Sequence, residues 1–414
     1  MDNKKLLLYK PIMGGLLALL LASYTNALFA TELPTQVKSY YGSYDVEHKQ
    51  AGKPAPSLSQ PVIEHWLSPQ KANKPYNIAV LFPHLKDPFW VAVDHGVFKQ
   101  AQQYGIGAEL FLAGGYRNLG RQVTQLETIL RDKDKYDGII IGAVQFKKSK
   151  LEHIYKRLSE ANIPIISVVN DSYTPTINAK SLVSWEELGF QAGKYLVSHA
   201  QGKKVKVLVL PGPKGTGWAP DSFNGFKDAL AQQKDQHNIE LLPTIWGDTG
   251  DRTQRHLLNF ILEKHHNIDY LVGNAIAVNA LLTKGPNGEI PPIEKFNNAH
   301  PNIKAISTYI IQDVYDHIVA GKVLASSTDL MRQQGQIAID MMIRLLNGER
   351  IDDKTVRAGG EIPFRTGPIV PIISNENINQ WSYEYLFGER NFKAMHYLKA
   401  DYLLFNERSN SNGQ

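Results

Sequence analysis

From residue 76 onward, short apolar runs rich in β-branched residues alternate with amphipathic stretches. The runs are Ile78–Phe82, Gly107–Leu112, Gly138–Ala143, Ile163–Asn170, Val205–Leu210, Leu241–Trp246, Tyr270–Gly273, Lys304–Tyr309 and Val323–Ser327. Most are of strand length and apolar on both faces, as a strand covered by helices on each side should be. The intervening spacing is helical. Val93, Val97, Ala101 and Tyr104 fall at steps of four, four and three, with Gly105 placed as a C-cap. Gln122–Leu130 and Leu188–Val197 behave in the same way. This alternation predicts an α/β fold with parallel sheets. Nine strands over about 250 residues suit two sheets better than one, with a βα barrel as the alternative.

The N-terminus has a different texture. Lys4, Lys5 and Lys10 precede the apolar run Ile12–Ala22, and Ser23–Ala30 ends in a small residue. That is a charged n-region, a short h-region and a cleavage site after Ala30, so residues 1–30 read as an export signal. An uncleaved anchor is the competing reading, but the run falls short of the roughly 20 residues a span needs. Residues 31–75 are punctuated by Pro, Ser and Lys, as in Lys53-Pro54-Ala55-Pro56-Ser57, and read as an extended arm or linker.

In two-lobed α/β proteins the ligand lies outside the carboxyl ends of the strands, where the lobes face each other. Here those ends lead into Leu85-Lys86-Asp87-Pro88-Phe89-Trp90, Ala113-Gly114-Gly115-Tyr116, Ser184-Trp185-Glu186, Ser307-Thr308-Tyr309 and Ser326-Ser327-Thr328-Asp329. Aromatic residues recur, carboxylates are few, and Arg117 is the nearby arginine. An aromatic box selects a cation that has no protons to donate. The ring faces attract a trimethylated nitrogen, and its methyl groups gain apolar contact. A sugar or protonated amine would demand hydrogen-bond partners that such a box lacks. The candidate ligand-binding residues are therefore Asp87, Trp90, Tyr116, Trp185, Tyr309 and Asp329, with one of the two carboxylates balancing charge. The competing reading is that each aromatic side chain packs the core.

Composition narrows the field. The 414 residues carry 45 Lys plus Arg against 40 Asp plus Glu, a net +5, too mild for a dedicated nucleic-acid binder. Residues 1–30 hold three Lys and one Asp, so removing them leaves about +3. The absence of cysteine excludes disulfides, thiolate metal sites and cysteine nucleophiles. Pro211–Gly217 lacks the Gly-Lys-Ser/Thr ending of a phosphate loop and reads as a strand-to-helix turn. Asp132 to Gly138 lacks the closing Glu of a calcium loop, and the adjacent His265-His266 cannot easily share one metal. Glu186-Glu187 have no nucleophile motif beside them and suit a helix N-terminal turn.

The stretch from Ile78-Ala79-Val80-Leu81-Phe82 through Asp87-Pro88-Phe89-Trp90 to Gly96 resembles the opening of type I periplasmic binding proteins, the ribose-binding class. Pro211-Gly212-Pro213 through Asn224-Gly225-Phe226, and Gln334-Gly335-Gln336 leading to Gly348, fit the same class. Within it the sequence is more similar to periplasmic sensors of trimethylamine N-oxide. The motifs are Leu85-Lys86-Asp87 with Trp90, Ala113-Gly114-Gly115-Tyr116, Val183-Ser184-Trp185, Gly193–Val197, Val272–Ala277 and Ser307–Tyr309. The resemblance covers roughly residues 76–350.

It implies two Rossmann-like lobes with parallel sheets joined by a hinge. Residues 76–180 plus about 327–350 would form the N-terminal lobe, 183–326 plus about 351–370 the C-terminal lobe, and 371–414 a tail. It further implies a non-enzymatic periplasmic protein without cofactor, metal or nucleic acid. Trimethylamine N-oxide would lie between the lobes within Trp90, Tyr116, Trp185 and Tyr309, with Asp87 beside them. The implied partner is the periplasmic domain of a membrane sensor histidine kinase, in a two-component system controlling trimethylamine N-oxide respiration. The alternative is the receptor of an ABC importer for a sugar or quaternary amine. The arm, the Lys284–Pro301 insertion and the tail after Gly360 depart from the family pattern.

Overall fold

In a computed structural model, the described residues are 35–42, 54–55, 57–144, 150–172, 174, 176–214, 216–351, 362–403 and 405. The expected export signal lies outside them. The strands are β1 (Gln36–Tyr40), β2 (Val62–His65), β3 (Asn77–Phe82), β4 (Gly107–Leu112), β5 (Gly138–Ile141), β6 (Ile165–Val168), β7 (Ala179–Ser181) and β8 (Lys204–Leu210). They continue with β9 (Asn238–Leu241), β10 (Tyr270–Gly273), β11 (Lys304–Ser307), β12 (Ala325–Ser327), β13 (Arg365–Pro368), β14 (Ile372–Ser374) and β15 (Tyr397–Leu398). The helices are α1 (Pro88–Tyr104), α2 (Leu119–Arg131), α3 (Lys150–Glu160), α4 (Trp185–Ala200), α5 (Trp218–Gln232) and α6 (Asp251–Lys264). After them come α7 (Ala275–Leu282), α8 (Pro292–Lys295), α9 (Gln312–Val319), α10 (Met331–Leu346) and α11 (Tyr383–Phe387).

Apolar strands sort into two sheets, giving the two-lobed α/β fold. The first runs β15-β4-β3-β5-β6-β7-β13-β1-β2 and the second β14-β12-β11-β10-β8-β9. From β4 to β13 the first sheet is parallel, with Ile78 of β3 opposite both Ala108 and Gly138. Strands β8 to β12 form the parallel part of the second. Central strands such as β3, β5 and β10 are buried almost throughout, because helices cover both faces. Helix α1 ends as its sequence dictates: Gly105 adopts φ 72° and its N–H reaches the carbonyls of Ala101 and Gln102.

The expected strand Leu241–Trp246 is displaced. The strand is Asn238–Leu241, an edge that pairs with β8 alone, and Pro243 has no N–H to continue a ladder. Leu242 and Ile245 still donate to Val207 and Val209, so the apolar stretch follows β8 without regular pairing.

The terminal stretches also differ from the expected partition. Within 31–75, β1 and β2 extend the first sheet, β1 lying antiparallel to both β13 and β2. The arm is pinned by the buried carboxylate of Asp340 on α10, which accepts from Trp66 Nε1 (2.8 Å), Ser68 Oγ (2.6 Å) and Gln100 Nε2 (2.7 Å). Strand β13, expected with the C-terminal lobe, pairs with β7 in the first sheet. These strands are short and mixed in polarity, so a search for apolar runs passes over them.

The chain passes between the sheets at 182–184, 328–330 and 369–371. The segment after β14 then returns from the second sheet to the first. Near α9, Tyr315 Oη donates to the Trp381 carbonyl (3.0 Å) and Arg390 makes two bonds to Asp316. Near α10 and α1, Gln333 donates to the Tyr385 carbonyl (2.6 Å), His95 meets Glu389, and Met395 N–H donates to Asp94 (2.7 Å). The expected tail is thus a strap over both lobes, ending in β15 antiparallel to β4.

Candidate functional site

Strand β3 runs into a tight helix start that fixes two rings. Asp87 is the N-cap of α1, extended at φ −119°, and its carboxylate accepts the Trp90 N–H at 3.4 Å. Pro88 follows, where a helix has no use for an N–H. Phe89 and Trp90 are held in the first turn and buried. Trp90 lies over Gly142, just beyond β5, where any Cβ would stand 2.4 Å from the indole. Its Nε1 donates to Tyr116 Oη at 3.1 Å. Tyr116 follows β4 through Gly114 and Gly115, both at positive φ.

The opposite wall repeats the design. Ser184 caps α4 by accepting the Glu187 N–H, which places Trp185 at the first helical position. Trp218 opens α5 after β8. Gly212, at φ 124°, leaves room for that indole, since a Cβ there would come within 2.6 Å of it. Tyr309 follows β11, its carbonyl held by Ser307 Oγ at 2.6 Å.

These elements bring the rings together. Phe89 lies 5.7 Å from Tyr309 and 6.3 Å from Trp185, centroid to centroid. Trp218 lies 5.5 Å from Trp185 and 5.7 Å from Tyr309, edge-on to the tyrosine. The cavity is lined by Asp87, Phe89, Trp90, Tyr116, Val169, Asn170, Trp185, Trp218, Thr249 and Tyr309. Its volume is ≈ 20 Å³, on a measure by which one water needs roughly 10–15 Å³. Outside it opens a cleft of ≈ 1000 Å³ that shares Asp87, Tyr116 and Thr249 with the cavity. Val169, a β-branched residue at φ 62°, is a strained backbone position in the lining.

Polar groups in the lining are few and unusual. The indole N–H groups of Trp185 and Trp218 are buried and have no hydrogen-bond partner among the described residues. Burial pushes the Asp87 carboxyl above the ordinary carboxylate range, against the opposing pull of His84. Burial also raises Tyr116 and Tyr309, and the charge of Asp87 adds to both shifts. Asn170 is anchored by donating to the Ala143 carbonyl at 2.9 Å. No group of three or more metal-ligating side chains occurs among the described residues.

Five of the six residues singled out from the sequence converge on the cavity: Asp87, Trp90, Tyr116, Trp185 and Tyr309. Asp329 is absent from the lining. It sits fully buried at the 328–330 crossing, where its Oδ2 accepts from Gln334 Nε2 at 2.8 Å. Its carboxyl is pushed up to about 7 by burial, and its charge acts on Tyr309. Phe89, Trp218, Val169, Asn170 and Thr249 were not among the candidates. Phe89 adjoins Trp90, and Trp218 opens the helix that follows β8, beyond the Pro211–Gly217 turn.

A profile for the periplasmic binding protein domain matches residues 78–350. The chain belongs to the periplasmic binding protein family. Among its relatives, the periplasmic protein TorT of Escherichia coli K12 is 30% identical over 286 residues, 69% of this chain and 77% of TorT. Of solved structures, an ABC transporter solute-binding protein from Bradyrhizobium sp. BTAi1 with bound bis-tris superposes with a TM-score of 0.71. It is 27% identical and the match covers 89% of this chain and 99% of that one. The complex of the TorS sensor domain with TorT in the absence of ligand gives a TM-score of 0.63 at 25% identity, covering 77% and 99% of the two chains. The corresponding complex in the presence of TMAO shares the fold, with a TM-score of 0.64 at 24% identity and coverage of 78% and 99%. As a periplasmic binding protein the chain is a ligand-binding protein, and among the described residues no helix is long and apolar enough to cross a membrane.

Proposed function

We propose that the protein is an exported, non-enzymatic periplasmic sensor that binds trimethylamine N-oxide in the aromatic cavity. Its occupancy is reported to the periplasmic domain of a membrane histidine kinase. One observation carries the reading: two buried indole N–H donors without partners, Trp185 and Trp218, in a cavity walled by aromatic rings. An N-oxide matches both features. Its methylated, positively charged nitrogen suits the ring faces, and its oxygen is a strong acceptor for N–H groups that otherwise pay a desolvation cost. The likeness to TorT and to the TorS–TorT complex supports the same assignment.

Size argues in the same direction. The cavity of ≈ 20 Å³ is narrow, and a hexose or pentose ring would have to widen it further than a compact ligand would. Trimethylamine N-oxide has five heavy atoms. At a ceiling of about −1.5 kcal/mol per atom its best binding is near −7.5 kcal/mol, a micromolar dissociation constant. That range suits a sensor of ambient concentration. Signalling then requires the ligand to favour one lobe arrangement over another.

A second reading, a transport receptor for a small amine, draws on the Bradyrhizobium solute-binding protein, whose similarity extends over 89% of the chain. Tryptophan fluorescence titrations with trimethylamine N-oxide, choline, betaine and ribose, followed by sedimentation with a candidate kinase periplasmic domain, separate the two. The sensor reading expects quenching by the N-oxide and a stable complex with the kinase domain. Ribose binding without a response to the N-oxide overturns it, and N-oxide binding without any complex favours the transport receptor.

A further inference from the structure

We infer that His84 is a positioning residue for the aromatic cavity, bracing Asp87 and Tyr116 from the cleft side and setting the charge that Asp87 presents to the ligand. The inference rests on reading the cavity as the ligand site. His84 lines the outer cleft and not the inner cavity, whereas Asp87 and Tyr116 line both. It therefore stands at the boundary between them, and it is itself buried.

Its contacts are directional. Nδ1 accepts the backbone N–H of Lys86 at 3.4 Å, which leaves that nitrogen deprotonated in the neutral ring. The same nitrogen lies 4.0 Å from Asp87 Oδ2. The ring meets Tyr116 edge-on, with centroids 5.2 Å apart at 89°. Moving His84 thus disturbs the carboxylate and the phenol together, and Tyr116 in turn holds Trp90.

The charges around the pair set its response to pH. His84 faces Asp87, Lys86 on its own loop and Asp248 from the loop before α6. Asp87 faces His84 and Lys86, with the hydroxyls of Tyr116 and Tyr309 nearby. Burial drives the imidazole down from its ordinary value and the carboxyl up, and each charge opposes the other's shift, so the two titrate as a coupled pair. An ionised Asp87 beside a neutral His84 gives the pair one negative charge, which favours a cationic nitrogen. Each proton the pair takes up on acidification removes one unit of negative charge beside the site and weakens that attraction.

The test titrates the purified protein with tetramethylammonium, which has no titrating proton, between pH 5 and 8. Wild type is expected to lose about fivefold or more in affinity across this range, as a unit charge beside the site would impose. His84→Gln and His84→Phe, the latter keeping a ring against Tyr116, are expected to shift or flatten this profile, because Asp87 then titrates without its partner. An unchanged pH midpoint in both variants overturns the inference. Should wild type bind neither tetramethylammonium nor the N-oxide at any pH, the functional reading fails separately. The pH titration of tryptophan fluorescence in the ligand-free protein then decides the role of His84: a midpoint shifted or lost in both variants supports it, and an unchanged one overturns it.

Discussion

The indole of Trp185 lies 5.5 Å from that of Trp218, tilted by 45°, and neither ring N–H has a partner among the described residues. Each residue opens a helix of the second lobe, while Phe89 approaches from the first helix of the other lobe, 6.3 Å from Trp185. The rings thus join the two lobes, and their unmet donors are what a ligand oxygen would satisfy.

Replacing Trp218 by Phe keeps an aromatic face and removes the donor. A hydrogen bond contributes about 0.5–1.5 kcal/mol net, so the N-oxide should bind roughly 2- to 12-fold more weakly. Tetramethylammonium has no oxygen and should lose less. Equal losses for the two ligands, measured by fluorescence titration, would show that the indole acts through its ring alone.

Gly142 is a silent part of the same site. A Cβ there would stand 2.4 Å from the Trp90 ring, so Gly142→Ala must push the indole off its seat and away from Tyr116. Overpacking of this kind costs about 1–3 kcal/mol. The variant should melt lower and lose most N-oxide affinity, and wild-type affinity in it would refute the claim that Trp90 is placed from beneath.

Much of this arrangement was legible in the sequence, and the misses have physical causes. Buried central strands such as Asn77–Phe82 and Tyr270–Gly273 announce themselves as apolar runs. Edge strands do not: Val62–His65 and Asn238–Leu241 expose part of their length and lack a continuous apolar run. Trp90, Tyr116, Trp185 and Tyr309 follow strand ends, so topology alone brings them together. Trp218 sits behind a Pro- and Gly-rich turn that obscures its link to β8. Asp329 has the right position in sequence, but its carboxylate bonds Gln334 in place of facing the cavity. The strap from 371 to 403 relies on side chain to backbone contacts that no periodicity reveals.

Asp329 should make stability depend on pH. Its folded carboxyl titrates at about 7, above the ordinary 3.8, because it is fully buried with Oδ1 unpartnered. A raised value means the native state holds the proton more tightly. The associated stability is present below the ordinary carboxylate value and is lost as pH rises through about 7. Asp329→Asn is uncharged and can still accept from Gln334. It should raise the unfolding free energy at pH 8 by up to the order of 4 kcal/mol, with a higher melting temperature there, and change little near pH 4. A matching shift at both pH values would mean that the carboxyl does not titrate as described.

The strap should be held by burial more than by its ion pair. Leu386 is fully buried under α10, and truncation to Ala should cost about 2–5 kcal/mol in urea unfolding. Arg390 and Asp316 are both exposed, so Arg390→Ala should be near neutral despite two hydrogen bonds. The reverse ranking would make the strap an electrostatic clasp.

Calorimetric titration of the purified protein with trimethylamine N-oxide tests the central claim most directly. The account predicts one site per chain with a dissociation constant in the micromolar range, weakened severalfold to about thirtyfold when Trp185 is replaced by Ala. No heat of binding from the N-oxide, alongside saturable binding of ribose, would contradict it.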